Sequence, residues 1–287
     1  MLACKMFARG DFMESGKIKI GGALMIKSLA EHKDWILEGQ RDIELQDTVM
    51  PKFLDSDWKP TIHAVKDTLH GYTGRIGIHG PFIGVSLIAG FDPKIAEPVI
   101  ARYLKALEIG TELGAEYMVI HSPFIGFGAS PFSDSPLPKD SFNESAFARA
   151  ILEPVLVEAE KQKCIIVVEN IQDNNTVHLC TLVRSYNSEY LKVSIDVGHA
   201  FITHQHGGPT PDQWVRDAGP LLEHMHIQDS DGQTDRHWAP GFGSVNWNAI
   251  FEELENLKHA PRLILELRKH ADLERGAKFL ADRGYVQ

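Results

Sequence analysis

Eight short apolar runs, each followed by a segment of helix length, recur along this 287-residue chain. They are IKIGGAL (18–24), RDIELQ (41–46), RIGIHG (75–80), EYMVIH (116–121), CIIVVEN (164–170), LKVSID (191–196), EHMHIQ (223–228) and RLILEL (262–267). The segments between them read as helices; the clearest opens at Asp92-Pro93, a helix start signal, and runs to Gly114. Parallel strands cannot be joined by a tight turn. A strand followed by a helix is therefore the repeating unit of a parallel sheet covered by helices. Eight such units close into a (β/α)8 barrel or spread into an open doubly wound sheet.

The polar residues choose between these two. His79, His121, Glu169, Asp196, His226 and Glu266 lie at or just past the C-terminal ends of strands three to eight. An open sheet gathers its ligands at one switch point, whereas a barrel collects them from many strands onto one face. No G-x-G-x-x-G follows the first strand. The expectation is an α/β protein with a single-domain (β/α)8 TIM barrel over residues 18–287, preceded by an N-terminal extension, residues 1–17.

A carboxylate that closes an apolar strand, as in IIVVEN or LILELR, is partly desolvated, which is costly unless a partner or a cation offsets it. One such residue could be an ordinary strand-end carboxylate. Two Glu, one Asp and several His at equivalent heights imply a divalent-metal centre. Oxygen and imidazole donors without thiolate suit manganese, magnesium, cobalt or zinc.

The motifs VVEN, SIDVGHA, HMHIQDSDG with DRHWAPGFG, and LILEL, in that order, resemble the xylose-isomerase-like TIM barrel superfamily. That superfamily includes sugar isomerases, ketose 3-epimerases, inosose dehydratases and endonuclease IV. The resemblance spans the chain from about Ile18 to the last helix. It implies a metal held by Glu169, Asp196, His226 and Glu266. It further implies a divalent-metal-dependent isomerase or epimerase acting on a small polyhydroxylated keto-substrate, a sugar or cyclitol, through an enediolate. Glu169 and Glu266 would be the catalytic bases. His199, Arg236, Arg268, His79 and His121 would contact substrate, with Arg268 facing a phosphate or carboxylate group. The same resemblance offers His79, His121, His199, Asp235 and His237 as additional metal ligands, as in endonuclease IV. The alternatives are a multinuclear zinc phosphodiesterase and a keto-sugar or inosose dehydratase.

Charge argues against nucleic acid as a partner. The net charge is −10, and the strand-end stretches GPFIGVSLIAGF, SPFIGFGASPFSDSPLP and HAFITHQHGGPTP contain no Lys or Arg. A duplex-binding face needs such residues to neutralise phosphates; these loops suit a lid over a small ligand. His224, one strand period before His226, reads as structural, and Asp231 as a turn residue. Three cysteines without metal-type spacing, no apolar stretch of membrane-spanning length and no convincing signal peptide point to a cytoplasmic protein. No membrane partner is expected, and a homo-oligomer is compatible with the sequence.

Overall fold

The computed structural model describes residues 18–124 and 143–287. The expected N-terminal extension and most of the stretch after the fourth strand lie outside the described residues. The strands are β1 (Ile20–Leu24), β2 (Ile43–Leu45), β3 (Ile76–His79), β4 (Tyr117–His121), β5 (Ile165–Glu169), β6 (Leu191–Asp196), β7 (Leu222–Ile227) and β8 (Arg262–Leu265). All pair in parallel in sequence order, and β8 returns to β1 through Ile20↔Leu263 and Gly22↔Leu265. The sheet is thus a closed barrel, as expected, with every expected strand present within one or two residues.

Helices α1 (Lys33–Gly39), α2 (Pro51–Leu54), α3 (Lys59–Thr68), α4 (Pro93–Leu113), α5 (Glu144–Gln162), α6 (Thr176–Tyr186), α7 (Val197–Gln205), α8 (Pro211–Ala218), α9 (Trp247–Glu255) and α10 (Leu273–Ala281) occupy the connections. The start of α4 is the one the sequence announces: the Asp92 carboxylate accepts from the Lys94 amide, with Pro93 at the first helical position. The segment after β1 departs from expectation. It begins with a short 3-10 turn, Ile26–Ser28, and α1 starts only at Lys33. The Asp47 carboxylate accepts from the Ile26 amide and fixes that turn.

Two apolar clusters follow from the period-two alternation of the strands. The large one lies between barrel and helices and includes Ile43, Leu45, Ile120, Ile166, Val168 and Ile195. The small one, Tyr117, Val119 and Val167, fills part of the barrel interior. Its layer depends on Gly77 in β3, where a Cβ would lie 2.0 Å from the Tyr117 ring. Above this layer the inward positions become polar: His121 follows Val119, and Glu169 follows Val167. The register sets His121 beside Glu169 and Asp196 beside His226 on neighbouring strands.

Candidate metal centre

Four ends of strands meet at one point. The ligand atoms of Glu169 (β5), Asp196 (β6), His226 (β7) and Glu266, one residue past β8, all lie within 4.8 Å of one another. His226 Nδ1 is the hub, 2.9 Å from Glu169 Oε1 and 3.4 Å from Glu266 Oε2. Glu169 Oε2 turns the other way, to His79 Nε2 and His121 Nε2, each at 3.6 Å. His199, Asp235 and His237 form a third group on the outer side, with His199 Nε2 3.4 Å and His237 Nε2 2.9 Å from the Asp235 carboxylate. All nine expected ligand-type residues are therefore brought together, in three groups, with Glu169 shared between two of them.

The electrostatics show what this arrangement calls for. Burial alone would push the Glu169 carboxyl up, but His226, His79 and His121 together hold it well below the ordinary range. Asp196 goes the other way: burial, with Glu169 and Glu266 adding to it, raises it to about 6 against the pull of His199. Burial disfavours the charged form of His226 and His199, yet the surrounding carboxylates raise both well above the usual imidazole value. His237 rises to about 9 against its burial, through Asp235 and Glu266. His121, half-buried beside His79, is lowered to about 3 by desolvation against the pull of Glu169. Crowded carboxylates thus demand positive charge. Glu169 Oε2 is buried with no hydrogen-bond partner, and His226 Nδ1 faces only acceptors unless it is protonated or ligated. A divalent cation fits this oxygen-and-imidazole donor set.

Asp196 has a second task. It caps α7, with Oδ1 accepting from the His199 amide at 2.7 Å, so the helix fixes its rotamer. The Gln228 amide donates to both Asp196 oxygens, at 3.1 and 3.3 Å, and to Asp235 Oδ1 at 2.9 Å. Gln228 Oε1 accepts from the His237 amide at 2.9 Å. One carboxamide thereby joins two of the groups.

The loop after β7 turns back toward the strand ends. Asp229 and Trp238 pair as an antiparallel bridge. The buried Asp229 carboxylate accepts from Ser230, Gly241 and Val245 amides and from the Trp247 indole. This fold places His237 at φ +48°, its imidazole Nδ1 3.1 Å from the Glu266 carbonyl. Arg236 is held sideways: it pairs with Asp231 at 2.8 Å and lies over the Trp238 ring. Asp231 is thus a partner for Arg236 as well as the turn residue the sequence suggested. Arg268 donates to the Asp235 carbonyl at 3.1 Å. Arg236, His237, Trp238, Phe242, Arg268 and Lys269 line a cavity of about 320 Å³ beside the centre.

Sequence reasoning missed several supporting residues. Glu44 in β2 is wholly buried and contacts His224 and His226. Gln46 donates to Glu266 Oε1 at 2.6 Å, and Asn170 Oδ1 accepts from the Asp196 amide at 2.7 Å. Asn170, next to Glu169, and Gln228, two past His226, could have been found as inward or strand-end polar residues. Glu44 and Gln46 sit in the short run RDIELQ, which carries no ligand motif.

Over residues 41–283 the chain matches the family described as a xylose isomerase-like TIM barrel. Among solved structures it resembles a D-tagatose 3-epimerase-like protein, with a TM-score of 0.74, 20% identity, and 92% of this chain and 96% of that one covered. It also resembles a Thermus thermophilus protein from crystals soaked with ZnCl2, at TM-score 0.70 and 23% identity, covering 93% and 99%. A third is D-psicose 3-epimerase with D-tagatose from Clostridium cellulolyticum, at 0.69 and 17%, covering 94% and 99%. At these identities the likeness is one of fold.

Proposed function

This chain belongs to the xylose isomerase-like TIM barrel family, and on that premise we propose that it is a divalent-metal-dependent isomerase or epimerase of a small polyhydroxylated keto-substrate. The observation that supports this reading is the convergence of two carboxylates, Glu169 and Glu266, on one cation-binding point, each with a second oxygen turned elsewhere. Glu169, Asp196, His226 and Glu266 would hold the ion. When bound, it would supply Lewis-acid polarisation of adjacent carbonyl and hydroxyl oxygens.

The chain's own residues do the proton work. Glu169 Oε2 has no hydrogen-bond partner and would be the oxygen that accepts a proton from a substrate carbon. Glu266, whose Oε1 is held by the Gln46 amide, would return a proton from a second direction. Arg268 and Lys269, at the rim cavity, suit a phosphate or carboxylate on the substrate. The similarity to sugar epimerases supports a sugar as that substrate.

A second reading is favoured by one observation: the nine ligand-type side chains fall into three groups, two of which share Glu169. That pattern suits a multinuclear hydrolytic centre acting on a phosphodiester. Elemental analysis separates the two. About one equivalent of manganese, magnesium, cobalt or zinc, with deuterium from solvent entering a substrate carbon during turnover of ketoses or inososes, is the expected result. Glu169→Gln and Glu266→Gln should each lower that exchange by about 10²–10⁴-fold. Roughly three equivalents of zinc with phosphodiester cleavage, or turnover of a keto-sugar in which no label moves, would overturn the isomerase reading.

A further inference from the structure

We infer that Glu44 is a positioning residue for the metal centre: its carboxylate holds the Nε2–H of His226, so that Nδ1 is the nitrogen presented to the cation. The inference rests on the divalent cation proposed above and not on the reaction.

Glu44 projects from β2 into the barrel and has no exposed surface. Its Oε1 lies 3.0 Å from His226 Nε2, and its Oε2 lies 3.3 Å from His224 Nε2. Among the described residues, these two imidazoles are its ion-pair partners within 4 Å. A carboxylate has only acceptor sites, so His226, at hydrogen-bond distance, must turn its Nε2–H toward Glu44; His224 Nε2 makes only the longer ion-pair approach and no hydrogen bond. The rest of the chain of contacts agrees. His224 Nδ1 lies 2.8 Å from Ser194 Oγ, whose hydroxyl can rotate to donate, leaving His224 with its proton on Nε2. The other nitrogen of His226, Nδ1, looks onto Glu169 and Glu266. With Nε2–H committed to Glu44, the Nδ1 lone pair points at the shared site. Ring contacts fix the plane: His226 stacks on His79 with an interplanar angle of 8° and meets His224 edge-on at 86°.

Packing gives no reason to keep such a group. A carboxylate in a barrel interior without Lys or Arg beside it is costly unless hydrogen-bonded, and an apolar side chain of its volume would fill the space more stably. What the carboxylate adds is orientation of a ligand. A histidine whose second N–H is held by a carboxylate keeps one tautomer and is a more basic ligand, and loss of such a partner costs about 10- to 100-fold in metal affinity.

The test uses zinc alone. Wild-type protein with ¹⁵N-labelled histidine is loaded with Zn²⁺, and two-bond ¹H–¹⁵N correlations identify the protonated and the ligated nitrogen of His226. The expected pattern is a proton on Nε2 and zinc on Nδ1. Glu44→Leu has about the same volume and no acceptor for Nε2–H. It should fold, bind Zn²⁺ about 10- to 100-fold more weakly, and lose the fixed Nε2–H signal of His226. Zinc on Nε2, as it would be if Glu44, His224 and His226 themselves held the ion, overturns the proposal. So does unchanged affinity and tautomer in Glu44→Leu, or failure of the wild type to bind zinc. Should Glu44→Leu fail to fold, the wild-type pattern decides alone. No substrate is used, so a failed isomerase assay and a failed tautomer assignment remain separate results.

Discussion

Asp173 shows how much a single buried group can bias this fold. Its carboxylate accepts from Ser122 Oγ at 2.7 Å and from the Ile171 amide at 3.0 Å, yet burial outweighs both and pushes it up to about 7. An unfolded Asp titrates near pH ~3.9. Between the two values the folded state binds the extra proton, so the contribution to stability is fully present below about pH 4. It is lost as pH rises through about 7, by roughly 4 kcal/mol at most. Asp173→Asn has no proton to lose. Its melting temperature should therefore gain on the wild type between pH 5 and pH 8; parallel curves would show that Asp173 does not titrate in that window. Asp173 and Glu44 share a reason for being illegible in the sequence. Each is a single acid in a strand or loop that could as well face solvent, and only barrel closure buries it. His226, Asp196, Glu169 and Glu266 are legible because a carboxylate or imidazole ending an apolar strand is unusual several times over.

At the scale of elements, the centre depends on how closely the start of α7 approaches β7. A Cβ on Gly198 would lie 2.4–2.6 Å from the Gln228 carboxamide, the group that joins Asp196, Asp235 and His237. Two effects of Gly198→Ala then oppose each other. The helix gains about 1 kcal/mol from the better helix former, whereas the displaced carboxamide releases ligands in two groups. Because a buried carboxamide deprived of its partners costs about 1–3 kcal/mol, the expected outcome is a lowered melting temperature with metal affinity lowered by about tenfold, read by calorimetric titration; intact affinity would show that Gln228 is dispensable. The eight strands and most helices are readable because apolar runs and start signals such as Asp92-Pro93 are local. The loop after β7 is readable as a turn at Asp231 but not in its construction. Asp229 gathers donors from residues up to 18 positions away, and no local pattern marks it. Arg236 likewise reads as free to face the substrate, and its pairing with Asp231 is a product of how that loop folds.

For the whole molecule, the net charge of −10 and the lack of Lys and Arg in the stretches after β3 and β6 oppose a long polyanion. The cations that do gather, Arg236, Arg268 and Lys269, border a cavity large enough for one small group. Duplex DNA with an abasic site should bind no better at low salt than unmodified duplex. A steep fall of log affinity with log salt, about 0.9 per phosphate contacted, would mean that a nucleic-acid face exists after all. No helix among the described residues is long and apolar enough to cross a membrane. Closure of β8 on β1 also sets an order of events during synthesis. A growing chain exposes Glu169, Asp196 and His226 while the barrel is still an open, unfinished sheet, and Glu266 arrives only with the final strand. Until that strand docks, the nascent polypeptide offers an incomplete and weakly binding set of donors. An ion held tightly by all four donors would therefore certify that the ring had shut.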